Sequence, residues 1–242
     1  MTDNHFDGWT AEHYDATVAD MYLPENLDPA VDFLAQLAGD GPALELGIGT
    51  GRVALPLTVR GVRVMGIELS PAMVDQLRKK PSGDAVEVTM GDFATARVDG
   101  AFPLAYLVFN TINNLLTQDQ QVDCFRNVAA HLERGGHFVI EVGMPNLQRL
   151  PPGERVRPFA VTPTHLGFDE YDIATQASAS HHLYKIDGHW HEFSIPFRYV
   201  WPSELDLMAR IAGMTLRERW ADWDRTPFTS ESRKHISVWE KR

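Results

Sequence analysis

The chain has 242 residues and a formal net charge of −11, with 23% of its residues charged. This length can bury one large α/β core. The acidic balance argues against nucleic-acid partners, because binding phosphates needs a basic face. Cys124 is the single cysteine, so no disulfide framework forms within the chain, which is typical of a reducing cytoplasm. No run approaches 18 apolar residues, and we therefore predict no membrane span.

The predicted elements of the first 143 residues alternate between helices and strands, the pattern of a parallel sheet covered on both faces. Helices are predicted over residues 24–38, near 52–59, from Ser70-Pro71 onward and over 118–132. Strands are predicted over residues 43–46, 62–67, 86–90, 104–109 and 137–142. We expect Gly135 and Gly136 to stop the helix that precedes the last of these strands.

The pattern changes after residue 143. Residues 144–163 are rich in proline and are predicted to form a crossing loop. Three antiparallel strands are then predicted over residues 166–173, 175–186 and 190–199, with Asp187-Gly188 as a hairpin turn. A helix over residues 201–212 follows, and strands over 214–220 and 235–239 are expected to close the sheet as an antiparallel hairpin.

The most informative stretch is a glycine-rich turn between a strand and a helix. It runs from Glu45 to Gly51 with the pattern E-x-G-x-G-x-G. Glycine adopts positive φ and lets a ligand approach the backbone, and a helix start offers free N–H groups. Glu68 ends the next strand, about 20 residues further on, where an acid suits ribose hydroxyls. A dinucleotide pattern would need a glycine at position 52, where Arg52 stands.

These signals together resemble the class I S-adenosylmethionine (SAM)-dependent methyltransferases. The resemblance implies a Rossmann-like, doubly wound, mostly parallel seven-stranded sheet with an antiparallel last strand, and a small antiparallel β cap. We expect residues 1–143 to hold an N-terminal lid and the SAM-binding core. Residues 144–200 would form the cap over the acceptor site, and residues 201–242 would add the last helix and two strands.

The resemblance also implies SAM as cofactor, with S-adenosylhomocysteine as product. The implied SAM-binding residues are Tyr14, Glu45, Gly47, Gly49, Gly51, Glu68, Leu69, Asp92, Phe93 and Phe109. Among them, Glu68 would accept from the ribose hydroxyls, and Leu69 would pack on the adenine. Asp92 would accept from the adenine amine beside Phe93, and Tyr14 would belong to a lid over the cofactor.

Two residues are candidates for the chemistry of transfer. By resemblance, Asn110 would lie with Phe109 beside the sulfonium and its methyl group. The segment differs from the [DN]PP[FY] motif of nucleobase and glutamine methylases, which argues against those substrates. We choose His182 as the general base or acceptor anchor, because it lies in mid-strand on one face with Ser180 and Tyr184. No metal site is expected, since the pair formed by His189 and His191 lacks a further ligand.

The resulting interpretation is an enzyme that transfers a methyl group to O, N or C of a small-molecule acceptor, by analogy a secondary metabolite. It would work in the cytoplasm as a monomer or homodimer, without nucleic-acid or membrane partners. Two alternatives stay open at this point. One is an NAD(P)-dependent oxidoreductase, which Arg52 and the absence of a Tyr-x-x-x-Lys pair disfavour. The other is a SAM-binding module without catalysis.

Overall fold

A computed structural model describes residues 6–186 and 188–242. Its strands, in chain order, are β1 (Ala43–Leu46), β2 (Val64–Glu68), β3 (Glu87–Met90), β4 (Phe102–Leu107), β5 (Leu132–Gly143), β6 (Val156–Val161), β7 (His165–Tyr171), β8 (Ala177–Ile186), β9 (His189–Arg198), β10 (Met214–Trp220) and β11 (Lys234–Lys241). Its α-helices are α1 (Trp9–Thr17), α2 (Pro24–Ala38), α3 (Ala54–Val59), α4 (Pro71–Arg78), α5 (Gln118–His131) and α6 (Pro202–Ile211).

The central sheet has seven strands in the order β10-β11-β5-β4-β1-β2-β3. Strands β1 to β5 pair in parallel, whereas β11 lies antiparallel between β5 and β10. The predicted mostly parallel sheet with a reversed last strand is thereby confirmed. The carboxyl ends of β1, β2, β3 and β4 lie at one edge, where ligands bind in open α/β sheets.

Local capping explains where the helices next to this edge begin. Ser70 caps α4 by accepting a hydrogen bond from the backbone N–H of Met73, and Pro71 occupies the first helical position. Thr117 and Gln120 form a reciprocal capping box at the start of α5. These signals are local in sequence, so both helix starts match the predictions.

Helices cover both faces of the sheet, and each face has its own apolar cluster. One cluster contains Phe125, Phe138 and Trp239, whose rings pack edge to face or tilted. The other contains Phe33 and Tyr106. Burial of this kind contributes about 25 cal/mol per Å² of apolar surface, so these two layers supply most of the driving force for folding.

The predicted helix stop at Gly135 and Gly136 is wrong. Helix α5 ends earlier, and the chain enters β5 at once, so both glycines lie inside that strand. The pairing of β4 with β5 shifts register there, and Gly135 takes a φ of 82°. A Cβ on Gly136 would lie 2.9 Å from the carbonyl oxygen of Phe102. Gly135 therefore permits the irregularity in the strand, and Gly136 permits the close approach of the two backbones.

The cap has four strands instead of the predicted three. It is a separate antiparallel sheet in the order β6-β7-β8-β9. Strand β6 falls in the segment predicted as a loop, and it pairs with β7 alone. It contains Pro158, which an edge strand accommodates because one side of the strand needs no N–H donor. All four strands fall between residues 144 and 200, and these boundaries of the cap stay a prediction.

None of the helices in the described ranges is both long and apolar enough to cross a membrane.

Candidate active site

Two cavities adjoin at the carboxyl edge of the parallel strands. The first, called the glycine-turn cavity, has a volume of about 420 Å³. The sequence-predicted residues that line it are Tyr14, Gly47, Gly49, Glu68, Leu69, Asp92 and Phe93. It also contains apolar and polar side chains that sequence reasoning missed, namely Met73, Leu115, Leu116, Gln120 and Pro196. Most of the predicted cofactor residues are therefore brought to one place.

The glycine turn leaves room that a side chain would fill. Gly47 and Gly49 adopt φ values of 65° and 56°, which favour glycine. A Cβ on Gly47 would lie 2.7 Å from Cγ2 of Thr111. A Cβ on Gly49 would lie 3.4 Å from Cε of Met73. Close packing against Thr111 therefore requires glycine at position 47, whereas the space beside Gly49 is less crowded, and both glycines line the glycine-turn cavity.

Glu68 lies at the end of β2 and holds the turn together. Its Oε2 accepts from the backbone N–H of Gly49 at 2.8 Å, and its Oε1 accepts from those of Leu69 and Ser70 at 2.9 Å. Burial raises the pKa of this carboxyl, although the three N–H donors oppose the shift. Because each carboxylate oxygen has two acceptor sites and Oε1 already accepts twice, one acceptor site remains on Oε2 for a donor inside the cavity.

Glu45 and Gly51 line neither cavity and lie beneath the turn. Glu45 is 3% exposed and accepts a hydrogen bond from the hydroxyl of Tyr106 at 2.8 Å. Burial raises the pKa of Glu45 to about 8. Gly51 has a φ of 79° and lies against Leu77. We therefore assign these two residues to the shape of the turn, and a direct contact between Glu45 and a cofactor stays a prediction.

Asp92 follows β3 and forms a local turn. Its Oδ1 accepts from the backbone N–H of Ala94 at 2.8 Å, while the residue lines the glycine-turn cavity beside Phe93. The turn leaves the second carboxylate oxygen without a partner among the described hydrogen bonds. This placement is compatible with the predicted contact to an exocyclic amine.

The second cavity, called the cap cavity, has a volume of about 410 Å³ and lies between α1, the segment after β4 and the inner face of the cap. It shares Phe6, Tyr14, Thr111 and Asn114 with the glycine-turn cavity. Tyr14 therefore lies at the junction of the two cavities, and its burial raises the pKa of its hydroxyl to about 12. A neutral phenol at this junction can both donate and accept hydrogen bonds.

Phe109 and Asn110 line the cap cavity in a strained backbone conformation. Their φ values are 55° and 63°, which are uncommon for residues other than glycine. The N–H of Phe109 donates to Oε2 of Glu141 at 3.1 Å, and Oδ1 of Asn110 accepts from the N–H of Gly143 at 2.6 Å. The structure thus places Phe109 with the second cavity, and its predicted contact with SAM stays a prediction.

His182 faces the cap cavity, as its position in the strand predicts. Its Nδ1 lies 3.1 Å from Nε2 of His165, and its ring stacks on Phe193 with centroids 4.9 Å apart. Burial, followed by the neighbouring His165 and His181, lowers the pKa of His182 to about 4. The imidazole is therefore neutral at pH 7, and it acts as a hydrogen-bonding group more readily than as a base.

The N-terminal helix α1 is tied to the glycine turn by Asp15. This carboxylate accepts hydrogen bonds from Tyr22 and from Thr50, at 2.5 and 2.6 Å, and it forms an ion pair with Lys80. Since Thr50 belongs to the glycine turn, these contacts join α1 to the turn, and the role of α1 as a lid stays a prediction. Among the described residues, no group of three His, Cys, Asp or Glu side chains is arranged to hold a metal ion.

The glycine-turn cavity fits SAM. The turn leaves the backbone accessible, Glu68 offers a buried acceptor, and Leu69 and Phe93 supply apolar surface. A sequence family described as a methyltransferase domain matches residues 43–136. The CcbJ methyltransferase from Streptomyces caelestis is 38% identical to this chain, with a TM-score of 0.85 over 96% of this chain and 95% of that one. The chain belongs to the SAM-dependent methyltransferases.

Two further relatives resemble this methyltransferase over nearly its whole length. The cypemycin N-terminal methyltransferase of a Streptomyces species is 28% identical over 95% of this chain and 98% of its own. The amino pentose methyltransferase CalS10 from Micromonospora echinaspora, solved with SAM bound, is 19% identical and superposes with a TM-score of 0.72 over the full length of both chains. This methyltransferase uses SAM as its cofactor, and the dinucleotide alternative is wrong.

Proposed function

We propose that the enzyme binds SAM in the glycine-turn cavity and methylates a small-molecule acceptor held in the cap cavity. The observation that carries this proposal is the wall shared by the two cavities at Tyr14, Thr111 and Asn114. A methyl group bound beside these residues in one cavity would therefore lie close to an atom bound beside them in the other cavity. Once bound, SAM supplies an electrophilic methyl group on a positively charged sulfur.

The residues of the glycine-turn cavity hold the cofactor. Glu68 accepts from a ribose hydroxyl through Oε2 while its hydrogen bond to Gly49 keeps the turn in place. Asp92 and Phe93 bind the adenine, and the open backbone at Gly47 and Gly49 admits the methionine portion. The positions of these side chains in the cavity wall and the hydrogen-bonding capacity of each group support these proposed roles.

The lid and the cap position the acceptor and exclude water from it. The Trp9 ring lies 6.4 Å from that of Tyr184 and 6.3 Å from that of Phe193, so the lid and the cap meet through aromatic packing. Fixing two reactants in line supplies much of the rate of such a transfer. An apolar enclosure removes water, which competes with the acceptor.

Asn110 and His182 contact the acceptor in this proposal. The Asn110 side chain is fixed by its hydrogen bond to the backbone of Gly143, which orients the residue at the cavity wall. His182 is neutral at pH 7 and can accept from or donate to the acceptor through one ring nitrogen. We assign to His182 the role of anchor, because its lowered pKa makes it a weak general base.

The relatives favour a natural product as the acceptor. One is named for the N-terminus of cypemycin, and another for an amino pentose in calicheamicin biosynthesis. A cavity of about 410 Å³ suits a molecule of drug-like size. The acidic chain and its single buried cysteine favour an enzyme of the reducing cytoplasm that has no nucleic-acid partner.

The test measures SAM binding and methyl transfer separately. Titration of the purified protein with SAM should show binding, and incubation with methyl-labelled SAM and a panel of natural-product amines, phenols and alcohols should give a labelled product. Binding without transfer to any acceptor would favour the non-catalytic SAM-binding module. Absence of SAM binding would contradict the proposal at its first step.

A further inference from the structure

One charged side chain stands out in the wall of the cap cavity. Asp169, on the inner face of β7, lines this cavity, and no other acidic residue and no lysine or arginine of the described chain lines it. His182 also lines this cavity, and burial, followed by the neighbouring His165 and His181, keeps its imidazole uncharged at pH 7 by lowering its pKa to about 4. The cavity therefore carries a net negative charge in its wall.

The carboxylate of Asp169 can accept further hydrogen bonds. Its Oδ1 accepts from the hydroxyl of Ser180, and its Oδ2 accepts from the hydroxyl of Tyr171 at a long 3.2 Å. Arg157 is the register partner of Asp169 on β6, yet no ion pair within 4 Å joins the two in the described structure. The carboxylate thus has no cationic partner of its own, although two oxygens can accept about four hydrogen bonds.

Aromatic rings make up much of the remaining wall. They come from the lid, the segment after β4 and the inner cap face, and they are Trp9, Tyr14, Phe109, Tyr171, Tyr184, Phe193, Phe197 and Tyr199. Ring faces attract cations, and this attraction strengthens when water is excluded. A carboxylate among aromatic rings is the combination that recognises an organic ammonium group, whereas a neutral or anionic ligand would leave Asp169 uncompensated.

We propose that the acceptor carries an amine that enters the cap cavity as an ammonium, and that Asp169 binds this group and selects amines over neutral analogues. The inference rests on the proposed function, because it assigns a chemical class to the acceptor of the same cavity. The net charge of −11 favours cation capture over long range as well.

The experiment uses two probes of the same shape, 2-phenylethylamine and 2-phenylethanol, titrated into the protein saturated with S-adenosylhomocysteine at pH 7. The amine should bind the wild-type protein at least about tenfold more tightly than the alcohol. Asp169→Asn keeps an oxygen that Ser180 can donate to, and it should abolish this preference. Glu170→Gln removes the same charge from the adjacent residue, which lies on the other face of β7, and should keep the preference.

Equal binding of the two probes to the wild-type protein would overturn the inference without any variant, as would the absence of amine binding at roughly 10 mM, a weak-affinity limit. Retention of the preference by Asp169→Asn would overturn the role of this residue. Failure of the proposed function is a separate result. It would show as a lack of S-adenosylhomocysteine binding in the titration that contains neither probe.

Discussion

The backbone N–H of Gly49 donates a 2.8 Å hydrogen bond to Oε2 of Glu68. This bond joins the two features that first indicate the cofactor, the glycine turn after β1 and the acid that ends β2. The same carboxylate also accepts from the backbone of Leu69 and Ser70 at the start of the next helix. Glu68 therefore shapes the glycine turn, and its contact with the ribose of SAM stays a prediction.

Glu68→Ala should weaken SAM binding by about 1.5–3 kcal/mol, the scale of hydrogen bonds to a charged group. Part of this loss would come from the turn, because the N–H of Gly49 loses its partner. Calorimetric titration with SAM measures the change. As a control, Glu87→Ala removes an exposed acid that pairs with Arg63 at the far end of the sheet, and it should leave the affinity unaltered. An unchanged affinity for Glu68→Ala would contradict the ribose assignment.

Gly49→Ala and Gly49→Val should lower SAM affinity in increasing order, with Val nearly abolishing binding. Both place a Cβ at the cavity wall, and both oppose the φ of 56°. Gly39→Ala is the control that distinguishes backbone strain from the loss of space in the cavity. Gly39 has the same φ of 56°, but no atom lies within 4 Å of the position that a Cβ would take there.

Gly39→Ala should cost stability, about 1–3 kcal/mol for a non-glycine residue in a sparsely populated backbone region, without changing SAM affinity. Thermal unfolding measures the first quantity and titration with SAM the second. Should Gly39→Ala and Gly49→Ala lose SAM affinity equally, the effect would be global strain, and the glycine turn would have no special role in binding.

The pH dependence of stability should reveal the buried Glu45. Burial raises the pKa of Glu45 to about 8, from about 4.3 in an unfolded chain. The folded protein therefore holds a proton that the unfolded chain releases above about pH 4. The contribution of this group to the free energy of unfolding falls as pH rises from about 4 to 8. The side chain introduced by Glu45→Gln does not ionise. At pH 8 the free energy of unfolding of this variant should therefore exceed that of wild type by a few kcal/mol, as expected from a pKa shift of this size.

Near pH 4 and below, the difference between Glu45→Gln and wild type should become small, because both folded proteins carry a neutral side chain that accepts from Tyr106 and the unfolded chain is largely protonated as well. Unfolding by urea at about pH 4, 6 and 8 gives the three differences. Glu87→Gln changes the same chemical group at an exposed position and should show no such trend. A constant difference across the pH range would mean that Glu45 is ionised in the folded protein.

The sequence predicts that the glycine turn and Glu68 lie together, because each of these signals is local in the chain. The glycines, the strand-end acid Glu68 and the helix N-cap residue Ser70 can each be recognised from a few neighbouring residues. The glycine pair at 135 and 136 shows the limit of such signals. A glycine pair after a helix can be a stop or a strand irregularity, and only the pairing of β5 with β4 decides between them.

The acceptor side of the site depends on pairing between strands that are distant in the chain, and the sequence alone does not predict this pairing. Alternation indicates that His165, Gly167 and Asp169 share one face of β7, but it does not indicate which face meets the cavity. Strand β6 is not predicted from the sequence because Pro158 suggests a loop. The strand lies at an edge of the cap sheet, where proline is tolerated. His182 could be chosen from its position in mid-strand, while its partner His165 becomes visible through the register of β7 with β8.

His182→Ala should lower acceptor turnover while leaving SAM affinity within about twofold, a change below about 0.5 kcal/mol. The reason is location, since His182 lines the cap cavity and is absent from the wall of the glycine-turn cavity. The matched control is His181→Ala. His181 is the adjacent residue on the other face of β8, where its Nδ1 lies 2.7 Å from Oγ of Ser194. Its loss should affect neither quantity.

The pH profile of turnover distinguishes an anchor from a base. With a pKa near 4, His182 stays neutral from pH 5 to 8, so wild type should show no inflection in this range that His182→Ala removes. Turnover of the variant should be reduced by a constant factor at each pH. An inflection between pH 6 and 7 that disappears in the variant would show that His182 accepts the proton. If SAM affinity falls instead while turnover at saturating SAM is normal, the cap contributes to the cofactor site and the division between the two cavities is wrong.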